Sequence, residues 1–262
     1  MGHQRLGTIP TTRKWNAVVE RLVASGDPAG QDVNEIAALT LDAAATAFEK
    51  AKGDLGLGYT FYLLTQIALA SRGDDWQQRL ARVGIHLTGD SSIFDLTCQM
   101  QAAIDNHIAR WGTATDISEM AKKAAGEALS MLARDNSVTL FGSGGDELRA
   151  AIRDLSTRSG FSRLGQRFFG LFSARFLNFY LSRVTAGVVG SSGIPDVAAV
   201  SSFNEALRAH CEQSALIARD FCGQWYAKTE HTQGIDPANT TRFMAVALQK
   251  LSTELAKQRA AL

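Results

Sequence analysis

This sequence contains few prolines and few cysteines, and it has no marked excess of positive or negative charge. Four prolines in 262 residues leave few obligatory breaks in helical segments, because proline disrupts a helix interior more than any other residue. The three cysteines, Cys98, Cys211 and Cys222, are odd in number, and a chain of this length can bury a large core without disulfides. We therefore expect reduced thiols packed in the interior. The 27 basic and 26 acidic side chains nearly cancel, so any attraction for nucleic acid or acidic substrates must come from a local cluster.

A hydrophobic run long enough to cross a membrane is also missing. The longest uncharged segment, 55–71, lies between Asp54 and Arg72 and falls short of the ~20 residues that a membrane-spanning helix needs. The segment also contains the polar residue Gln66. These features predict a buried central helix and no membrane span. The first six residues lack the apolar stretch of a secretory signal, so we expect a cytoplasmic protein.

Apolar residues recur at steps of three and four along most of the chain, and this period is typical of amphipathic α-helices. The pattern predicts helices over 32–52, 55–71, 74–87, 92–111, 115–132, 202–226 and from 236 to near the end. Helix starts are indicated by a capping-box-like pair at Asp32, by Ser92 with Asp95, by a capping box at Ser202, and by Asp236 followed by Pro237. On the helix over 92–111, we expect His107 and Trp111 to face the interior.

The predicted fold class is an all-α helical bundle. Only 138–141 has the composition of a β-strand, and four residues are too few to build a sheet. Glycine-rich breaks at 141–145 and 187–202 interrupt the helical pattern. The first break predicts two packed helical lobes, 1–141 and 146–262, joined by a Gly-rich hinge. One continuous domain is the alternative.

No segment has the spacing of a catalytic, metal or nucleotide site. The glycines of 142–145 are not followed by the Lys-Ser/Thr of a phosphate loop, and Glu147 stands where a dinucleotide-binding motif has its third glycine. Cys211 and Cys222 would lie about 16 Å apart on one continuous helix, so they cannot share one metal ion. We therefore predict no cofactor, no metal and no catalytic residue.

The segment from Arg149 to Arg183 differs from the rest of the chain in its arginine and phenylalanine content. Between Arg153 and Arg183 there are six arginines, one acid and no lysine. Arginine binds carboxylates and phosphates through paired hydrogen bonds and stacks on flat rings. At 100° per residue, one face of a helix carries an aromatic arc of about 120°, formed by Phe168, Phe169, Phe172, Phe176, Phe179 and Tyr180.

Three interpretations of this segment remain open. In the first, the phenylalanines fill a core and the arginines pair with acids of 27–54, which holds six acids against two lysines. In the second, the aromatic and arginine side chains form a contact surface for a protein. In the third, the segment contacts nucleic acid phosphates or an anionic membrane surface.

We expect a non-catalytic helical interaction or scaffold subunit of a larger cytoplasmic assembly, whose partner is another protein or a second copy of the chain. The predicted contact residues, for protein or phosphate, are Arg163, Arg167, Phe168, Phe172, Arg175, Phe176, Phe179 and Arg183. A subunit that contacts nucleic acid through the segment from Arg149 to Arg183 is the first alternative. An enzyme is the second alternative, because an active site can be assembled from distant helices. Its site would draw on residues such as Asp105, His107, His210 and Glu212.

Overall fold

The computed structural model of the chain describes residues 11–26, 28–30, 32–135 and 145–257. These residues form twelve α-helices and no β-strand, so the predicted all-α helical bundle is confirmed. In chain order the helices are α1 (Arg13–Ala24), α2 (Val33–Ala43), α3 (Ala45–Ala51), α4 (Leu55–Ala70), α5 (Trp76–Ala81), α6 (Ile93–Trp111), α7 (Asp116–Asp135), α8 (Gly145–Leu155), α9 (Arg158–Val188), α10 (Val197–Ser214), α11 (Leu216–Thr232) and α12 (Pro237–Lys257). None of these helices is both long and apolar enough to cross a membrane. The strand-like residues 138–141 lie outside the described ranges.

The longest helix, α9, is the centre of the bundle. It packs against α1, α2, α7, α8, α10 and α11. The sequence explains this position, because α9 carries five fully buried rings, those of Phe161, Phe168, Phe169, Phe172 and Phe176. Burying one such side chain contributes about 1.5–3 kcal/mol, so this helix is stable only when other helices surround it.

The ring of Phe61, in the middle of α4, links the helices on the two sides of residue 141. Its centroid lies 5.4 Å from that of Phe168 in α9 and 5.4 Å from that of Phe243 in α12. The buried side chains form one hydrophobic cluster with members from both sides of the Gly-rich break. The division into lobes 1–141 and 146–262 stays a prediction, and the shared core favours the single continuous domain.

Small residues allow α11 to approach α9 closely. A Cβ atom on Gly165 would lie 2.6 Å from Sγ of Cys222, and one on Gly223 would lie 2.1 Å from Oγ of Ser162. Packed atoms do not come this close, so the observed distance between the helices requires glycine at both positions.

The thiols differ in accessibility. Cys211 and Cys222 are buried, and burial raises the pKa of both thiols, so they stay protonated and behave as small apolar side chains. Cys98 is exposed on α6, which corrects the expectation that all three thiols lie in the interior.

Two predicted helices are each divided in the structure. The helix expected over 32–52 breaks at Ala44, where φ is −96° and ψ is 11°. The helix expected over 202–226 breaks at Ala215, and its first half begins at Val197 instead of after Ser202. The break at Ala215 lets α10 and α11 both pack along α9, which one straight helix could not do.

Several predicted helix starts are confirmed. Ser92 and Asp95 form a reciprocal capping box at the start of α6. The Asp236 carboxylate accepts a hydrogen bond of 2.7 Å from the backbone N–H of Asn239, with Pro237 as the first residue of α12. By contrast, the Asp196 side chain rather than Ser202 caps α10, by accepting from the N–H of Ala199 at 2.8 Å.

We expect Gly165→Ala to lower the free energy of unfolding by about 1–2 kcal/mol. The added methyl group must displace Cys222, and overpacking costs about 1–3 kcal/mol, whereas replacing a helical glycine by alanine regains about 0.5–1 kcal/mol. Denaturant unfolding of the full chain measures this difference. The control is Gly53→Ala, where no atom lies within 4 Å of the new Cβ. Equal stability of the two variants would contradict the close packing of α9 and α11.

Candidate functional site

Three of the five arginines of α9 are held in ion pairs with acids of the neighbouring helices, whereas Arg158 and Arg183 are exposed and form no ion pair with a described residue. The pairs are Arg163–Asp154, Arg167–Asp135, Arg167–Glu212 and Arg175–Glu127, and α10 adds Arg208–Glu127 and Arg208–Glu212. The Arg163–Asp154 pair joins α8 to α9, and the other pairs join α7, α9 and α10 in one network of alternating charge. A nucleic acid phosphate approaching this face would meet carboxylates as well as guanidinium groups, which argues against the nucleic acid alternative.

The acids in these pairs are not the ones that the sequence indicated. We expected acids of 27–54, but Asp32 and Glu35 pair with Arg21 of α1 instead. The reason is the packing order: α1 lies directly against α2, whereas the arginines of α9 are next to α7 and α10.

The phenylalanines nominated as contact residues are divided between the interior and the surface. Phe168, Phe172 and Phe176 have no exposed area. Phe179 is half-buried, and the guanidinium of Arg183 lies 5.1 Å from its ring centroid. The structure therefore agrees with the interpretation in which most of the aromatic face fills the core.

The residues of the enzyme alternative lie on two helices with different neighbours. Asp105 and His107 belong to α6, which packs on α4 and α7, whereas His210 and Glu212 belong to α10, which packs mainly on α9 and α2. Asp105 pairs with Lys122 at 2.6 Å, and Nε2 of His210 is buried without a hydrogen-bond partner among the described residues. In the same part of the chain, no group of three His, Cys, Asp or Glu side chains is placed to hold a metal ion.

A different surface carries accessible aromatic side chains: the outer face of α4. Eleven of the sixteen residues of this helix are buried. The residues that are not buried fall on a single line, at steps of four, three, four and three: Leu55, Tyr59, Tyr62, Gln66 and Leu69. We call these five residues the α4 stripe.

The end of α6 packs beside the first half of the α4 stripe, and a cavity lies beside its second half; we call this surface as a whole the α4 groove. The ring of His107 in α6 stacks on Tyr59, with centroids 3.7 Å apart and planes within 4°. Trp111 follows one turn later and is 68 % exposed. The end of α6 adjoins Leu55, since a Cβ on Gly112 would lie 2.8 Å from a methyl carbon of that side chain.

The exposure of Trp111 corrects the expectation that it faces the interior. It is the last residue of α6, and the following Gly112 lies against Leu55, the first residue of α4. No helix in the described part of the chain continues far enough to cover it, so periodicity alone misplaces this side chain. An exposed tryptophan next to stacked rings is unusual, because indole side chains are normally well buried.

The rings at this end of the α4 groove are uncharged at neutral pH. Burial raises the pKa of Tyr59 and of Tyr62, and the nearby carboxylate of Asp236 raises that of Tyr62 further. Burial lowers the pKa of His107, and the positive charge of Arg110 lowers it further. The surface therefore presents flat, neutral aromatic groups.

The other end of the α4 groove is polar and basic. Around Tyr62, Gln66 and Leu69 it encloses about 630 Å³, lined also by Arg72, Asp75, Arg79, Arg82, Val83, Glu230 and Ile235. Arg72 pairs with Glu230 at 2.9 Å, and Arg79 pairs with Asp75 at 2.7 Å. Arg82 is exposed and forms no ion pair with any described residue.

Sequence reasoning missed the α4 groove because 55–71 is uncharged and was expected to be buried on every side. The one signal available was the placement of its larger polar side chains, Tyr59, Tyr62 and Gln66, on one helical face.

Comparison of the chain with protein-family models, with curated proteins and with solved structures finds no match.

We expect His107 to titrate below the ordinary histidine pKa of 6.5. Tyr59→Ala should raise the pKa of His107 by exposing the imidazole, and Arg110→Ala should raise it by removing a nearby positive charge. An NMR titration of the imidazole signals measures both shifts. Phe94→Ala, which truncates a 50 % exposed ring on the same helix, is the control and should leave this pKa unchanged. Titration of His107 at or above 6.5 in the unaltered chain would contradict the stacked arrangement.

Proposed function

We propose that the chain is a non-catalytic helical interaction subunit of a larger cytoplasmic assembly and that it binds its partner in the α4 groove. The observation that carries the proposal is the partly exposed stripe of α4 together with the exposed Trp111 at the end of α6. Tyrosine and tryptophan are the side chains that contribute most to protein interfaces, particularly where neighbouring residues exclude water from them. Here the rings of Tyr59 and Tyr62 lie 5.7 Å apart, and Trp111 lies one helical turn after His107, which stacks on Tyr59.

The contact residues of this proposal differ from those that the sequence nominated. Phe168, Phe172 and Phe176 could meet a partner only if α9 left the core, which would expose several large rings at a prohibitive cost. Arg163, Arg167 and Arg175 already have carboxylate partners within the chain. The α4 groove needs no such rearrangement.

The chemistry of the α4 groove supports binding rather than catalysis. His107 makes a ring stack with Tyr59 and no hydrogen bond to a hydroxyl, thiol or carboxylate of any described residue. A nucleophile needs a base within hydrogen-bond reach, and the groove provides no such pair in the described ranges.

Native mass spectrometry of the full chain, purified together with its natural neighbours, tests the proposal. We expect a complex of fixed stoichiometry that is lost in the double variant Tyr62→Ala/Trp111→Ala. Interface tyrosines and tryptophans contribute on the order of 2 kcal/mol or more each, so the affinity should fall by a factor of about 1000.

The matched control is Phe94→Ala, which removes another exposed aromatic ring from α6 at a different position on its surface. This variant should keep the complex, and circular dichroism should show that both variants retain the helical fold. A chain that is always monomeric, or a complex that survives the double substitution, would overturn the proposal.

A further inference from the structure

Helices α7 and α10 both pack on α9, and a pocket open to solvent lies between the three helices. It encloses about 250 Å³, and its apolar lining includes Leu171 and Ala174 of α9 and Leu207 of α10. Since a water molecule takes up ~30 Å³ in the liquid, a ligand of about six to ten non-hydrogen atoms would fill this volume. The pocket therefore has the size for a small metabolite and not for a peptide.

Two guanidinium groups bring positive charge into the pocket, and one carboxylate lies between them. One oxygen of Glu127 in α7 pairs with Arg175, and the other oxygen pairs with Arg208 at 2.7 Å. Arg208 is also held by Glu212 at 3.1 Å, whereas Glu127 is the only described acid that pairs with Arg175. A guanidinium has five N–H donors, so Arg175 keeps donors that no described residue accepts, including the one on its buried Nε.

The pocket also contains polar groups that have no partner in the described chain. Glu205 of α10 is exposed and forms no ion pair with a described residue. Asn178 of α9 and Asn204 of α10 are half-buried, and their side-chain amides form no hydrogen bond with a described residue. A few polar groups that converge on a partly apolar pocket are what fixes the orientation of a small ligand.

The charges of the lining select against a ligand of a single sign. An anion would be repelled by the carboxylates of Glu127 and Glu205. A cation would be repelled by the guanidinium groups of Arg175 and Arg208. A zwitterion suits both kinds of group, because its carboxylate can accept from the guanidinium of Arg175 while its ammonium donates to Glu205.

We propose that this pocket binds a free α-amino acid with an aliphatic side chain, of the size of valine or leucine. The aliphatic side chain lies against Leu171, Ala174 and Leu207, and the amides of Asn178 and Asn204 bind the polar end. The site is separate from the α4 groove, since the two share no lining residue in the described chain. The inference thus goes beyond the proposed function and does not depend on it.

Isothermal titration calorimetry of the full chain with leucine tests the site, with isocaproate and isoamylamine as probes that each lack one of the two charges. We expect leucine to bind about 10- to 100-fold more tightly than either probe, because each probe loses one charge-assisted hydrogen bond. Glu205→Gln should weaken leucine binding about 10-fold or more for the same reason. Ala174→Leu should abolish binding, because the larger side chain fills the pocket.

The matched control is Glu20→Gln, which changes an exposed glutamate of α1 outside the pocket and should leave the affinity unaltered. Circular dichroism should show that all three variants keep the helical fold. The inference is overturned if neither leucine nor valine binds, if isocaproate or isoamylamine binds as tightly as leucine, or if Glu205→Gln or Ala174→Leu binds as the unaltered chain does. None of these results bears on the proposed function, which is tested by the sensitivity of the natural complex to Tyr62→Ala/Trp111→Ala.

Discussion

The burial of the phenylalanine rings of α9 is the constraint on which the rest of the structure depends. Each ring contributes to stability only if another helix covers it, so α7, α10 and α11 are drawn around a single long helix. Glycines on α9, such as Gly165, let α11 approach without a gap. The arginines between the phenylalanines then reach the rims of this packing, where Glu127 and Glu212 neutralise them. The hydrophobic core and the ion-pair network thus both result from the packing of helices around α9.

The same packing leaves α4 as the exception. It is more apolar than α9 and packs against α5, α6, α7, α8 and α12, yet one line of its surface is not fully buried. The half-buried Tyr59 and Tyr62 keep part of their rings in water, which forgoes favourable burial that another helix could supply. A partner that completes the bundle at this line recovers that energy, which is why we propose α4, and not α9, as the surface that binds.

Side-chain periodicity predicted much of the local structure and little of the site. Steps of three and four, with caps at Ser92 and Asp236, predicted α4, α6 and α12. The breaks at Ala44 and Ala215 were missed because the apolar stripes continue through both alanines, so only packing against other helices reveals the bend. The exposure of Trp111 was missed for a related reason: periodicity indicates which side chains share a face, but whether another helix covers that face depends on tertiary packing.

The central claim, that Trp111 and Tyr62 are accessible while Phe168 and Phe172 of α9 are buried, is tested most directly by hydroxyl-radical footprinting. Radical oxidation of the native full chain, followed by mass spectrometry, measures the solvent access of each aromatic side chain. The structure predicts rapid oxidation of Trp111 and measurable oxidation of Tyr62, with Phe168 and Phe172 unmodified until the chain is unfolded. Oxidation of Phe168 or Phe172 at a rate comparable to that of Trp111 in the native protein would contradict the account.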